Sequence, residues 1–300
     1  MATTEQPASP PATSAAPPEA PFLSLVVPAY NEERRLGPTL RAILGYLAGR
    51  PYTSEVIVVS DGSTDATEQV ARDAFAQAPN ANKVQCRFIG YQPNAGKGVA
   101  VRTGVLATRG RYVAFADADL STPIEEVDRA LACLQGSGAS GGSPAAAQPR
   151  AGVYRIVIGS RAAAGANVAR KQPLYRRLAA RGFNYVRDFV VGIRGLHDTQ
   201  CGLKVFEGDL ARAIFARQRI PGFMFDPETV LIAQRLGVPI YEMGVRWTDS
   251  PDTRVRLSSG LRLLPDLLRI RLLHGRLTPA DLPAMLESGP QQAAKRGATR

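Results

Sequence analysis

Short unbroken apolar runs alternate along the chain with segments whose apolar residues recur every three or four positions. Phe22–Tyr30 reads as a buried strand, and the segment after it carries Leu36, Leu40, Ile43, Leu44 and Leu47 at helical spacing. Ser54–Asp61 is a second buried strand that breaks into the polar turn Gly62-Ser63, and Ala66–Ala78 follows as a helix. Lys83–Tyr91 predicts a third strand, Asn94–Thr108 a glycine-opened helix, and Arg111–Asp119 a fourth strand. A helix over Pro123–Gln135, a strand over Arg155–Ala162 and a helix over Pro173–Ile193 continue the alternation. Beyond them come a turn running into a short strand (Asp198–Phe206), a helix around Asp226 and a strand over Val238–Trp247. Ser258–Leu277 is basic and amphipathic, with Leu261, Leu264, Leu267 and Leu268 set against Arg262, Asp266, Arg269 and Arg276.

Strand and helix in alternation predict an α/β fold with a mostly parallel sheet flanked by helices, and a C-terminal amphipathic helix. In such sheets ligands bind beyond the carboxyl ends of the strands. Three polar clusters fall at those ends: Ala29 to Glu32, Asp61 to Ser63, and Asp117 to Asp119. If the fourth strand runs through Asp119, the carboxylates of Asp117 and Asp119 share one face, because side chains alternate with a period of two. Two such acids repel each other unless a cation lies between them or one is protonated; otherwise they are solvated acids opening a loop or capping a helix.

Composition bounds the folded part. Residues 1–21 form an Ala/Pro/Ser/Thr tract without an apolar face and are expected to be a disordered arm, as is most of 279–300. Between them a catalytic domain is expected over 22–257, with a Gly/Ser-rich insertion at 136–150, and then the basic helical segment at 258–278. No signal-peptide pattern and no membrane-length apolar run is present, so a cytoplasmic location is expected. Cys86, Cys133 and Cys201 lack zinc-site spacing and fit a reducing compartment.

The net charge of +11 implies an anionic partner. Arg155, Arg161, Arg170, Lys171, Arg176, Arg177, Arg181 and Arg187 follow one another with no acid before Asp188, a run that asks for a phosphate. Charge alone would also suggest a nucleic-acid-binding protein, but no recognition helix or aromatic RNA-binding motif accompanies it, so no nucleic-acid partner is expected.

The ordered motifs SLVVPAYNEERRL, EVIVVSDGSTDAT, PNAGKGVAVRTG, FADADLST, VIGSRA and DTQCGLKVF resemble the family-two inverting glycosyltransferases of GT-A fold. The resemblance, from about Phe22 to Leu272, is to the polyprenyl-phosphate branch. DTQCGLK, FDPE and VRWTDSPDTRV look most like its dolichyl-phosphate β-glucosyltransferases. It implies transfer of glucose from UDP-glucose to a polyprenyl phosphate; another sugar nucleotide such as GDP-mannose, or a non-lipid acceptor, is the alternative. It implies Mg2+ or Mn2+ held by Asp117 and Asp119, with Asp117 either on the metal or near the ribose. Pro28, Ala29, Tyr30, Glu32, Asp61, Lys97 and Ala118 would line the nucleotide-sugar site. For Glu32 a first-turn helix acid, and for Asp61 an Asx-turn, are the local alternatives.

Lys97 opens a helix whose amides and dipole would favour an anion. Arg161 and Arg176 match acceptor-phosphate arginines, and Asp198 and Gln200 the turn beside acceptor and sugar. Ser60 and Ser121 depart from the pattern of many relatives, which have a second acid and, in mannosyl types, a glutamine there. Without a spanning segment, the basic amphipathic stretch, or else a partner, would bring the protein to the cytoplasmic face of a membrane as a peripheral protein; the alternative for the stretch is packing on its own domain.

Overall fold

The computed structural model describes residues 19–136, 154–169, 174–248 and 264–287, with no side-chain description for 174–181 and 183. The predicted arm before residue 19, the insertion from 137, the segment 258–263 and the last residues from 288 lie outside this range.

The two central strands are apolar on both faces. In β1 (Leu23–Ala29), Leu23, Leu25 and Val27 point to one core and Val26 to the other; in β2 (Ser54–Asp61), Val56 and Val58 oppose Ile57 and Val59 in the same way. A strand buried on both sides needs helices on both faces, which is the crossover logic of a parallel sheet. On one face lie α1 (Leu36–Ala48), α2 (Thr67–Ala76) and α4 (Glu126–Gln135); Leu36, Leu40, Ile43, Leu44 and Leu47 of α1 are all buried there. On the other lie α3 (Lys97–Ala107), α6 (Gly208–Arg217), α7 (Phe225–Arg235) and α8 (Leu264–His274).

The remaining strands are β3 (Val84–Tyr91), β4 (Tyr112–Phe115), β5 (Ile156–Ser160), β7 (Lys204–Glu207) and β8 (Ile240–Gly244), giving a seven-stranded order β3-β2-β1-β4-β7-β5-β8. A two-stranded parallel pair, β6 (Asn167–Val168) with β9 (Arg246–Trp247), stands apart, and α5 (Leu174–Val191) precedes β7. All pairings of the large sheet are parallel except those of β7, which runs against β4 and β5, with Lys204 opposite both Phe115 and Ile158. Because β7 is reversed, the loop that feeds it arrives at the edge where β4 and β5 end. The site depends on that reversal.

Two expectations need correction. The fourth strand stops at Phe115: Ala116 still donates to the Val26 carbonyl, but the chain then turns, with Leu120 at φ +47° and its N–H on the Asp117 carbonyl at 3.2 Å. Asp117 and Asp119 are therefore neighbours on a turn, not on a strand face. In α8 the buried residues are Leu267, Ile270 and His274, while Leu268 is 56% exposed, so the apolar strip drawn through Leu264, Leu267 and Leu268 is rotated, Leu261 lying outside the described residues. The helix begins beside Pro265 and packs on α5 and α7, which sets its face. Within 279–300, Pro279–Asp281 is a 3-10 turn closed by a Thr278–Asp281 capping box, 282–287 are helical and Met285 is buried, while the rest of that stretch lies outside the described residues. Helix α6 went unread in the sequence although Leu210, Ala211, Ile214 and Phe215 carry its buried stripe.

Candidate active site

The carboxyl ends of β1, β2, β4 and β5 and the start of β7 meet on one edge. At the end of β2, Asp61 is 3% exposed and its carboxylate accepts from the Tyr91 hydroxyl, Asn94 Nδ2 and the N–H groups of Ala95 and Gly96, at 2.8–3.2 Å. Those donors fill the lone-pair directions of a carboxylate, so Asp61 shapes the loop into α3 rather than its own Asx-turn. Gly96 closes that loop at φ +103°, with the Pro221 carbonyl 2.5 Å from where a Cβ would sit. The same carbonyl accepts from Gly98 N–H at 2.7 Å and Val99 N–H at 3.3 Å. At the start of α3 the Gly98 and Val99 amides are thus engaged within the protein, which narrows the backbone that the helix start can offer an anion. What α3 offers is the Lys97 side chain.

Lys97 Nζ lies 2.6 Å from Asp117 Oδ1, with both side chains partly exposed. Burial alone would weaken the Lys97 charge, but Asp117 and then Asp226 outweigh it and raise its pKa above the ordinary value. Burial likewise pushes Asp117 up, yet Lys97, and further off Lys204 and Arg161, hold it below the usual carboxylate range. On its other side Asp117 packs on Gly202, where an added Cβ would come within 2.3 Å of Oδ2. Asp119 accepts from Ser121 N–H through Oδ1 at 3.0 Å and has Arg35 Nη1 3.9 Å from Oδ2. Ala118 is buried between them, its carbonyl accepting from Thr39 Oγ1 at 2.7 Å.

At the end of β1, Pro28 and Ala29 are buried and Tyr30 is exposed. Glu32 precedes α1 rather than lying in its first turn; it pairs with Arg35 at 2.7 Å, and its N–H donates to Thr67 Oγ1.

Arg161, following β5, is gripped by Asp198. Its Nε and backbone N–H reach Oδ2 at 2.7 and 3.0 Å, and Nη2 reaches Oδ1 at 2.9 Å. Burial would raise Asp198, but the Arg161 charge and hydrogen bonds, with the Gln200 N–H, bring it below the usual range. The Arg161 guanidinium sits 5.4 Å over the Trp247 ring, and Trp247 in turn lines a recess with Ala116, Asp117, Ser121, Thr122 and Gly202. The structure therefore brings Lys97, Asp117, Asp119, Arg161, Asp198 and Gln200 to one edge. Arg176 lies on α5, its side chain outside the described residues.

Lys204, Glu242 and Trp247 of this neighbourhood were not singled out in the sequence, and Arg187, read there as part of the phosphate-seeking run, is instead buried on protein partners. Lys204 is 1% exposed, with Nζ 3.0 Å from the Cys201 carbonyl and 2.5 Å from Asp226 Oδ1, pinning the Cys201-Gly202 backbone that backs Asp117. Burial raises the Asp226 pKa, which Lys204 and Lys97 only partly offset. Glu242 accepts from the N–H groups of His197 and Asp198, fully buried Arg187 ties α5 to Thr199 at 2.7 Å, and Trp247 bridges the two sides. A lysine inside an apolar strand and a lone tryptophan were the available signals. Cys201 is buried against Thr122 with its thiol pushed up by burial, and His274 is buried on Glu228 at 2.7 Å, both packed rather than reactive.

Residues 24–202 match Glycosyl transferase family 2. The dolichyl-phosphate beta-glucosyltransferase of Homo sapiens is 36% identical over 258 residues, covering 84% of this chain and 75% of that protein. The enzyme of the same name from Drosophila melanogaster is 38% identical over 232 residues, 76% of this chain and 67% of that protein. Among solved structures, M. tuberculosis glucosyl-3-phosphoglycerate synthase superposes with a TM-score of 0.58 at 19% identity, covering 85% of this chain and 81% of that one. The same enzyme in complex with Mn2+, uridine diphosphate and glucosyl-3-phosphoglycerate has a TM-score of 0.58 at 19% identity, with 85% and 80% covered. The sheet with its reversed β7 is the GT-A arrangement that the motifs implied. With motif order, fold and a likeness over most of the chain in agreement, the chain belongs to glycosyl transferase family 2.

Proposed function

We propose that the protein transfers glucose from UDP-glucose to a dolichyl-type polyprenyl phosphate with inversion at the anomeric carbon. One observation carries this reading: Trp247 joins the Asp117 recess to Arg161, so a cation for a second phosphate stands beside the donor edge. The names of the relatives supply the lipid-phosphate acceptor and the glucosyl group, and the uridine diphosphate bound in a neighbouring structure is consistent with the donor.

Pro28, Ala29, Tyr30 and Glu32 line the nucleotide, with Asp61 shaping the loop that closes its pocket. Lys97 faces the diphosphate. Asp117 and Asp119 offer oxygen donors only, and among the described residues no third acid, histidine or cysteine joins them in a metal-binding group. That set fits Mg2+ or Mn2+, which complete their shells with phosphate oxygens and water. When bound, the ion supplies charge neutralisation for the UDP leaving group.

On the acceptor side, Arg161 and Arg176 draw the lipid phosphate in, Asp198 fixes the plane of the Arg161 fork, and Gln200 lies toward the sugar. The phosphate oxygen forms the bond to C1 as the bond from C1 to UDP breaks on the opposite face. That oxygen is already ionised near neutral pH, so no general base is needed.

No helix among the described residues is long and apolar enough to cross a membrane. Tyr185 and Phe189 of α5 and Leu268, Leu272 and Leu273 of α8 are exposed beside Arg269, Arg271 and Arg276, and these support a peripheral contact with the cytoplasmic face. Leu268→Asp with Leu272→Asp is expected to lower co-sedimentation with anionic liposomes severalfold; unchanged sedimentation would remove this surface from the reading.

The main test is incubation with labelled UDP-glucose and dolichyl phosphate, with GDP-mannose as rival donor and 3-phosphoglycerate as soluble acceptor. Label in the lipid phase from UDP-glucose alone is the expected result. Label in the aqueous product with 3-phosphoglycerate, or lipid product only from GDP-mannose, would overturn the acceptor or the donor respectively.

A further inference from the structure

We infer that Lys97 is a place-holding cation, whose ammonium occupies on Asp117 the position a divalent ion would take, so that nucleotide and ion bind well only together. This rests on the donor site proposed above.

One oxygen of Asp117 is engaged and the other is crowded on one side. Oδ1 has Lys97 Nζ at 2.6 Å, and Oδ2 is packed against Gly202, too closely for even a methyl group there. The Gly202 backbone cannot easily retreat, because the carbonyl next to it is held by Lys204, itself paired with buried Asp226. An ion that takes Asp117 through Oδ1 therefore displaces Lys97, and one that approaches Oδ2 meets a carboxylate already neutralised by Lys97 and crowded on one side by Gly202.

Lys97 is built to leave by its side chain alone. Its backbone opens α3, whose Gly98 and Val99 amides are tied to the Pro221 carbonyl, while the preceding loop is tied to Asp61. The helix start is fixed, but the ammonium ends a flexible four-carbon stem that is 23% exposed, and the exposed Phe223 ring lies 5.9 Å from Nζ as a second resting place. With Lys97 in place, a nucleotide-free protein shows an arriving ion one acid, Asp119, and a second already neutralised. A diphosphate offers Lys97 another anion and so uncovers Oδ1. By linkage the effect is reciprocal: whatever the nucleotide gives to ion binding, the ion gives to nucleotide binding.

The contrast with Arg161 supports this division. Arg161 holds Asp198 through two side-chain bonds and one backbone bond, a grip that a point charge on a stem cannot make.

The test is Mn2+ binding to the full chain, read by the electron paramagnetic resonance of free Mn2+, with and without UDP. Without UDP, Lys97→Met is expected to bind Mn2+ about tenfold more tightly than wild type, and the gain on adding UDP to shrink by a similar factor. Lys97→Arg, which restores the charge, is expected to stay near wild type. Should Lys97→Met fail to melt cooperatively, Lys97→Gln takes its place with the same expectation. A folded neutral variant whose nucleotide-free Mn2+ affinity is unchanged or weaker overturns the place-holder, even if wild type takes up Mn2+ with UDP. If wild type takes up no Mn2+ even with UDP, the donor-site reading falls and the inference with it.

Discussion

Two cation–carboxylate pairs stand at neighbouring strand ends and are built for opposite behaviour. Lys97–Asp117 is a single contact between two partly exposed side chains, with the ammonium on a flexible stem. Arg161–Asp198 is a fork whose carboxylate is 6% exposed and further held by backbone N–H groups. The first can exchange its cation for another, while the second holds a guanidinium plane still for an incoming phosphate. The difference lies in geometry and burial rather than in net charge, which is the same for both pairs.

The largest expected effect comes from emptying the exchangeable side. Asp119→Ala should lower transfer by about 10³-fold or more with the melting transition preserved, and excess chelator should do the same to wild type. Full activity in chelator would remove the ion from the donor side and leave the comparison without its first half. Next, Arg161→Ala should lower turnover with polyprenyl phosphate by about 10- to 150-fold, the equivalent of roughly 1.5–3 kcal/mol for charged hydrogen bonds. UDP affinity measured by calorimetry should hardly change. An equal fall in UDP affinity would place Arg161 on the donor and merge the two sides.

A smaller effect separates the pairs by stability. Asp198→Ala strands a guanidinium that is 34% exposed, so the 3–5 kcal/mol of a fully buried pair should fall to about 2 kcal/mol in denaturant unfolding. The smallest effect is in pH. Asp198 has its folded pKa lowered, so its contribution is complete above the unfolded value of about 3.9 and is lost as pH falls through the folded value below it. Asp198→Asn should therefore flatten the acid limb of the stability curve below about pH 4 and leave its slope between pH 5 and 8 unchanged. An acid limb that stays as steep in Asp198→Asn as in wild type would mean that the grip is looser than its geometry.

Much of this molecule was legible before folding. Strands with apolar residues on both faces, such as Leu23–Ala29, and helices with a stripe such as Leu36 to Leu47 follow from periodicity, because burial is decided by local spacing. Which carboxylates gather at strand ends followed as well, since a polar residue ending an apolar run has to face water or a ligand. The rotated face of α8 did not follow: four leucines can be drawn into a strip in more than one register, and contact with α5 and α7 selected Leu267 and Ile270.

By itself the sequence determined the strand and helix alternation, the acids at the strand ends and the arginine that follows β5, because each depends on residues close in the chain. Only the tertiary structure decided that β7 runs backwards between β4 and β5. That reversal sets Gly202 against Asp117 and Asp198 on Arg161, and leaves Lys204 buried beneath them. The physical reason is that these partners are separated by tens of residues. Their contact follows from strand order and from the desolvation that makes a buried charge seek its counter-ion, and neither is written in any local stretch of chain.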